Sequence, residues 1–354
     1  MPNRKNTEQR VRASFRVRTC AAGLCVGTQI FLAGCSTAMP LALGSSWLAG
    51  LASLPLVCWF TLRSRRILLH QQHSGNISRI RYILLFLTLL ASAAFSLASL
   101  SVFAAQTLAQ EARALLIHAA ALCAAALCVL SGGTGVARLC FALRFLLSAL
   151  VLGLSLWGMP LRVPVGLFPI LGAGAVPLAA AALATLFGAA PALMLALLPP
   201  ELHAVEPDNI AIPNTRFFLL RVLAGAALGI LLLFFTSACT TYESIIQSRE
   251  WGARLRMAAG NQPHEGIFQM LLMLAKLLCM LLLSANMLWG AQQALHLAMP
   301  RLHHAVCLIL CILLLGANQL ALLAFGDAPL LFGAPLIAVS AIMSAALPER
   351  RRHT

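Results

Sequence analysis

Apolar residues occupy most of this chain in stretches of about twenty, the length a helix needs to cross a bilayer, and short polar or basic links divide them. The stretches fall at about 20–41, 46–62, 82–105, 114–132, 136–158, 166–198, 217–240, 266–292, 302–324 and 328–348. This pattern predicts an all-α polytopic membrane protein of about ten transmembrane helices. Two spans are interrupted inside: Phe31-Leu32-Ala33-Gly34-Cys35-Ser36-Thr37-Ala38-Met39-Pro40 breaks the first, and Pro169-Ile170-Leu171-Gly172-Ala173-Gly174-Ala175-Val176-Pro177 breaks the sixth. A glycine costs a helix about 1 kcal/mol and a proline about 3, and in lipid the freed backbone groups need partners inside the protein or a cavity. Paired breaks at matching places in two halves point to a central binding site between spans one and six.

The composition agrees, at 60% hydrophobic and 10% charged residues against ~25% charged in soluble domains. Charge sets the orientation. With the N-terminus inside, seventeen of the 25 Lys and Arg lie in cytoplasmic segments, from Arg4 to Arg18 and on through Arg63, Arg81, Arg138, Arg216 and Arg301 to Arg352. The outer segments hold Arg113, Arg162, Arg249, Arg254 and Arg256. That asymmetry follows the positive-inside rule, places both termini in the cytoplasm and accounts for most of the net charge of +15. No nucleic-acid partner is needed to explain it, and the N-terminal cluster suits anionic membrane lipid. The expected organisation is a basic tail (1–19), one transmembrane domain (20–348) and a short basic tail (349–354), with a first repeat over about 20–158 and a second over about 166–348.

Enzyme chemistry is not indicated. Asp and Glu total ten, and no span carries an acidic dyad or a His-x-x-x-His pair of the kind that general acid–base catalysis or a proton relay would use. Gly132-Gly133-Thr134-Gly135 lacks the lysine of a phosphate-binding loop and reads as a turn. The eleven cysteines lie mostly in apolar stretches without zinc-like spacing, so they read as small buried hydrophobes; no disulfide, metal or cofactor is expected. Leu32-Ala33-Gly34-Cys35 also matches a lipoprotein cleavage box, which must be weighed before structure is argued. The apolar run from Ser36 to Leu43 continues like a second half-helix and favours the broken-span reading.

Three basic residues fall inside spans. Arg144 and Arg221 are near predicted cytoplasmic ends, where long side chains reach the headgroups. Lys276 is deeper, ~15 Å from the outer end of span eight at 1.5 Å per residue, and a charge there costs about 3 kcal/mol on insertion scales. It therefore reads as facing a polar cavity or a partner. If span one restarts after Gly34, Ser36 is a suitable N-cap, and the N–H groups of Cys35, Ser36 and Thr37 form a positive half-helix end that suits a carboxylate. Gly172 and Gly174 would let the backbone of span six approach a ligand and expose carbonyls to an ammonium group. Ser96 and Ser99 on span three are candidates for the same cavity, although serines in membrane helices also bond their own backbone or a neighbouring helix.

Four stretches together resemble a known family: the broken opening span with Gly34 and Pro40 followed by Ser46-Trp47-Leu48-Ala49; Gly135-Val136-Ala137-Arg138; Leu167-Phe168-Pro169 with Gly174 and Pro177; and Lys276. By their order and spacing the chain resembles the spore germination permeases, the B subunits of spore nutrient-germinant receptors, related to amino acid/polyamine/organocation transporters. The likeness covers about residues 20–295. It departs after Arg138, where Leu139-Cys140-Phe141 replaces the family's usual acidic residue. The resemblance implies two inverted five-helix repeats with spans one and six broken beside a central site. It implies a sensor of a small nutrient, often an amino acid, in the spore inner membrane, working with an A and a C subunit; an amino-acid or polyamine permease is the alternative. It also implies that Lys276 stands as a fixed charge where related folds hold a coupling cation.

Overall fold

Leucine and alanine dominate the apolar stretches, and both are strong helix formers. In lipid a helix also satisfies every backbone group within one segment. The computed structural model describes residues 4–42, 45–74, 79–108, 111–157, 174–197, 215–239, 265–325 and 328–347. Among these residues there is no strand.

Span one is α1 (Arg4–Ala33), a π-helical segment (Gly34–Ala38) and α2 (Met39–Ala42); span two is α3 (Ser46–Ala52) and α4 (Leu54–Ser74). Spans three, four and five are α5 (Arg79–Leu108), α6 (Glu111–Leu130) and α7 (Gly133–Trp157). Span six is α8 (Ala175–Thr185) continued by a 3₁₀ helix (Leu186–Ala196), and spans seven to ten are α9 (Thr215–Cys239), α10 (Glu265–Ala298), α11 (His304–Phe325) and α12 (Ala328–Ala346). Five of the described helices are long and apolar enough by themselves to cross a membrane, among them Arg79–Leu100 and Thr215–Ser237. The chain is an integral membrane protein.

Side-chain pairings give the directions. Spans one and seven run parallel, with Thr19 beside Arg221 and Gly27 between Gly225 and Gly229. Spans one and six are antiparallel, since Arg18 meets Leu197 while Gly188 sits on Ile30. Spans three and eight are antiparallel through Ser96–Ser284 and Leu89–Gly290, and spans three and ten through Arg81–Leu347 and Thr88–Ser340. Each pairing fits alternating crossings. The neighbour relations are also two-fold: one–seven has its counterpart in six–two, three–ten in eight–five, one–five in six–ten, and three–four in eight–nine, while one–six, two–seven and three–eight pair with themselves. A shift of five spans reverses direction, so this is the pattern of two inverted five-helix repeats.

Two sequence expectations change. α1 begins at Arg4, well before residue 20, because Phe15, Arg18 and Thr19 are already buried in the bundle. The interruption of span one is a π-helical widening rather than an unwound break: Ala33 and Met39 both keep right-handed helical angles, and the Met39 N–H donates to the Gly34 carbonyl. Pro40 explains the widening. Its ring would strike the carbonyl four residues earlier, and a π segment just before it moves that carbonyl away.

The tightest packing joins span one to span seven. A Cβ on Gly27 would lie 2.1 Å from the Gly225 carbonyl oxygen, and one on Gly229 would lie 2.1 Å from the Gly27 oxygen. Such backbone-to-backbone approach is how small residues associate helices in lipid. Gly27→Leu is therefore expected to cost about 3 kcal/mol or more by overpacking, seen as loss of the monodisperse folded species in detergent. Gly153→Ala, where the added methyl meets nothing within 4 Å, is expected to leave unfolding unchanged or slightly improved.

Candidate functional site

Span one turns two faces to the bundle. At ~100° per residue, Gly23, Gly27 and Gly34 form one stripe, while Arg18, Cys25 and Gln29 lie within ~40° of each other on the opposite side. The glycine stripe is seated on span seven, where Gly23 lies on Arg221 and Val222, and Gly34 on Leu233. The polar stripe meets the centre. The Arg18 guanidinium donates through Nη1 to the Leu197 carbonyl at 3.1 Å and stacks 4.5 Å above the Trp289 ring. One turn beyond Cys25, Gln29 is 0% exposed, and neither its Oε1 nor its Nε2 has a hydrogen-bond partner.

An unsatisfied buried polar group costs on the order of 1–3 kcal/mol. Gln29 holds two such atoms at mid-span, just before the π segment, and π segments recur at functional sites. Across the bundle, Ser92, Ser96 and Ser99 share one face of α5 and are all buried. Ser96 donates to the Ala93 carbonyl at 2.8 Å and shares a hydrogen bond of 2.7 Å with Ser284 of span eight. The Ser92 hydroxyl is buried without a partner. A cavity of about 10 Å³ between Arg18, Gly133, Leu197, Asn286 and Trp289 holds about one water.

The sequence-predicted residues divide. Gly34 and Cys35 are buried at the π segment, which packs against α8 of span six, so the expected apposition of spans one and six is present. The positive half-helix end expected from Cys35, Ser36 and Thr37 is not formed, because the helix passes through the π segment without a new N-terminus. The side chains of Ser36 and Thr37 lie outside the described residues, as does Gly172. Gly174, at φ +83°, is exposed and forms the entry turn of α8; left-handed backbone of this kind favours glycine. Ser96 is taken up by Ser284. Lys276 lies in α10, with its side chain outside the described residues. Gln29 was not among the predicted residues, although a lone amide in the otherwise apolar stretch around it is the signal that marks it.

Among the described residues no group of three or more His, Cys, Asp or Glu could hold a metal ion. Replacing the amide with an apolar side chain of similar size, Gln29→Leu, is expected to stabilise the protein by about 1–3 kcal/mol. A raised thermal midpoint checks this, and a lowered one would show that the amide has a structural partner.

No protein-family profile matches the chain, and no curated protein matches it in sequence. Solved structures do. The manganese transporter of Eremococcus coleocola, in complex with an aromatic bis-isothiourea substituted compound, superposes with TM-score 0.57 at 14% identity over 94% of this chain and 76% of that one. A mutant of the same transporter gives TM-score 0.55 at 14% identity, over 94% of this chain and 75% of that one. At this identity the likeness concerns architecture, and the chain has the fold of a membrane transporter.

Proposed function

We propose that this chain is the membrane subunit of a spore nutrient-germinant receptor that binds a small nutrient, an amino acid, between spans one, three, six and eight. The carrying observation is the orphaned amide of Gln29 at mid-membrane, beside a π segment in a transporter fold. An amide offers one acceptor and two donors, and a ligand with a carboxylate and an ammonium group could answer both kinds. The orphaned Ser92 hydroxyl supports the same reading.

In this reading the protein is not an enzyme, sits in the spore inner membrane beside its A and C partner subunits, and keeps both termini in the cytoplasm. The arginines support that orientation, since Arg18, Arg63, Arg81, Arg216 and Arg301 fall at one end of the alternating spans. A second reading, an amino-acid or polyamine permease, is favoured by the likeness to a transporter. The two share a pocket, so the site cannot separate them.

Germination separates them. Spores carrying Gln29→Leu, with protein level checked by immunoblot, are expected to lose refractility in response to all but one of a panel of single amino acids. Untouched germination together with reduced uptake of a labelled amino acid by growing cells would favour the permease. Because Lys276 is read as a fixed charge at a cation position, binding of the effective amino acid by purified protein is expected to be the same in sodium and in choline chloride. A requirement for sodium would remove that role.

A further inference from the structure

Arg144 and Arg221 lie inside apolar spans with no counter-charge near them in the chain: spans five and seven contain no Asp or Glu, and neither does span one from Arg10 to Ala33. Their contacts among the described residues are with neutral groups. Arg144 donates through Nη1 to the Phe141 carbonyl at 3.2 Å, and its guanidinium lies 3.5 Å from the centre of the Phe141 ring and 4.4 Å from that of Phe145. Arg221 donates through Nη1 to the Thr19 hydroxyl at 3.3 Å. A guanidinium has five N–H donors, so most of each fork is left for a partner outside the protein. Both side chains are half-buried, on a surface where Phe145 is 72% and Leu220 64% exposed.

The two arginines stand at one end of a crevice of about 30 Å³ lined by spans one, five, seven and eight. Leu24, Thr28, Ser148, Gly225 and Leu228 along it are all half-buried, so it lies at the surface of the bundle. Ser148 is one turn beyond Arg144, and its hydroxyl donates to the Arg144 carbonyl at 2.8 Å. Gly225 is one turn beyond Arg221, and the Arg221 carbonyl oxygen lies 2.6 Å from where a Cβ on Gly23 would stand, one turn before Gly27 of the same crevice. Spans one, five and seven run in one direction, so both guanidiniums are on the basic side of the crevice. The Arg144 bond to Phe141 turns its head further that way. Arg221 is ~9 Å beyond the start of its helix at 1.5 Å per residue, a depth from which a long side chain reaches the headgroups.

We propose that this face holds one phospholipid with a net negative headgroup, drawn from the leaflet at the basic end of the bundle: its phosphate meets Arg144 and Arg221, and part of an acyl chain lies in the crevice. A guanidinium fork matches phosphate oxygens in pairs, and a charge at this depth is costly until it is paired. A free anion would leave the apolar crevice unused, and a zwitterionic lipid brings a cation of its own toward the arginines. The bound lipid would bridge span five of the first repeat and span seven of the second. The crevice is on the glycine face of span one, opposite Gln29, so the proposal does not depend on the nutrient reading.

The test is native mass spectrometry of the full-length protein in detergent, titrated with phosphatidylglycerol or with phosphatidylcholine of the same chains. Wild type is expected to bind one phosphatidylglycerol tightly and phosphatidylcholine roughly 10-fold less well. Arg144→Gln and Arg221→Gln are each expected to weaken phosphatidylglycerol by roughly 10-fold or more, the usual effect of losing hydrogen bonds to a charged group. Arg138→Gln, at an exposed position of the same span five, is expected to match wild type. Ser148→Phe, which fills the crevice with both arginines in place, is expected to weaken binding as well. Where a glutamine variant does not fold, lysine takes its place; it keeps the charge without the fork and is also expected to bind less tightly than wild type. Equal binding of the two lipids, or of phosphatidylglycerol by wild type and the arginine variants, would overturn the site. Displacement of the lipid by inorganic phosphate would show a site for a free anion instead, and unchanged binding by Ser148→Phe would remove the crevice from it.

Discussion

The arrangement depends on how span one is seated. Gly23 and Gly27 let its backbone touch the backbone of span seven, and Gly188 lets span six close on Ile30. Contacts between main chains leave little freedom of rotation, so the opposite face is fixed as firmly as the glycine face. That face carries Arg18, Cys25 and Gln29. A slip of one residue would rotate it by ~100°, breaking the Arg18 bond to span six and turning the Gln29 amide away from the bundle centre. The polar groups need no strong partners to hold them inward, because the glycines hold them there.

The same economy appears among the charges. With ten Asp and Glu against 25 Lys and Arg, most arginines cannot find carboxylates. Even-numbered spans end on the basic side of the bundle, and their last carbonyls serve instead. Arg63 donates to the Ala345 and Leu347 carbonyls at 2.6 and 2.8 Å, Arg81 donates to the same Leu347, and Arg18 to Leu197. Cations at helix C-termini satisfy leftover carbonyls and the helix dipole together. The excess of arginine therefore builds the end of spans six and ten, besides setting the orientation.

What was legible in the sequence was what depends on local composition. Hydropathy gave the spans, and the irregularity expected in span one is present as a π segment, whereas most of the interruption expected at Pro169–Pro177 of span six lies outside the described residues and the 3₁₀ helix there, Leu186–Ala196, falls further along. The form of the first irregularity was not legible. Composition says only that Gly34 and Pro40 disfavour a regular helix, and the backbone shows that a widening, not an unwinding, clears the Pro40 ring. The glycines of span six were read as ligand contacts, yet Gly174 shapes an exposed turn. Gln29 was overlooked differently: one polar residue barely lowers the hydropathy of a span, and the burial of its amide without partners is what raises this lone amide above the other polar residues of the spans.

That amide gives the fold a reason to change state. A closed site holding an unsatisfied group is a ground state carrying a cost, and a ligand that supplies the missing hydrogen bonds removes the cost in that state alone. Binding energy that differs between two conformations is what shifts their populations; each kcal/mol recovered at Gln29 changes the ratio about five-fold, since 1.4 kcal/mol is a factor of ten. Recovering both atoms at ~1–3 kcal/mol each would shift it by one to four orders of magnitude. Spans one and six each carry an irregular segment packed against the regular part of the other, the π segment on α8 and the 3₁₀ helix on α1.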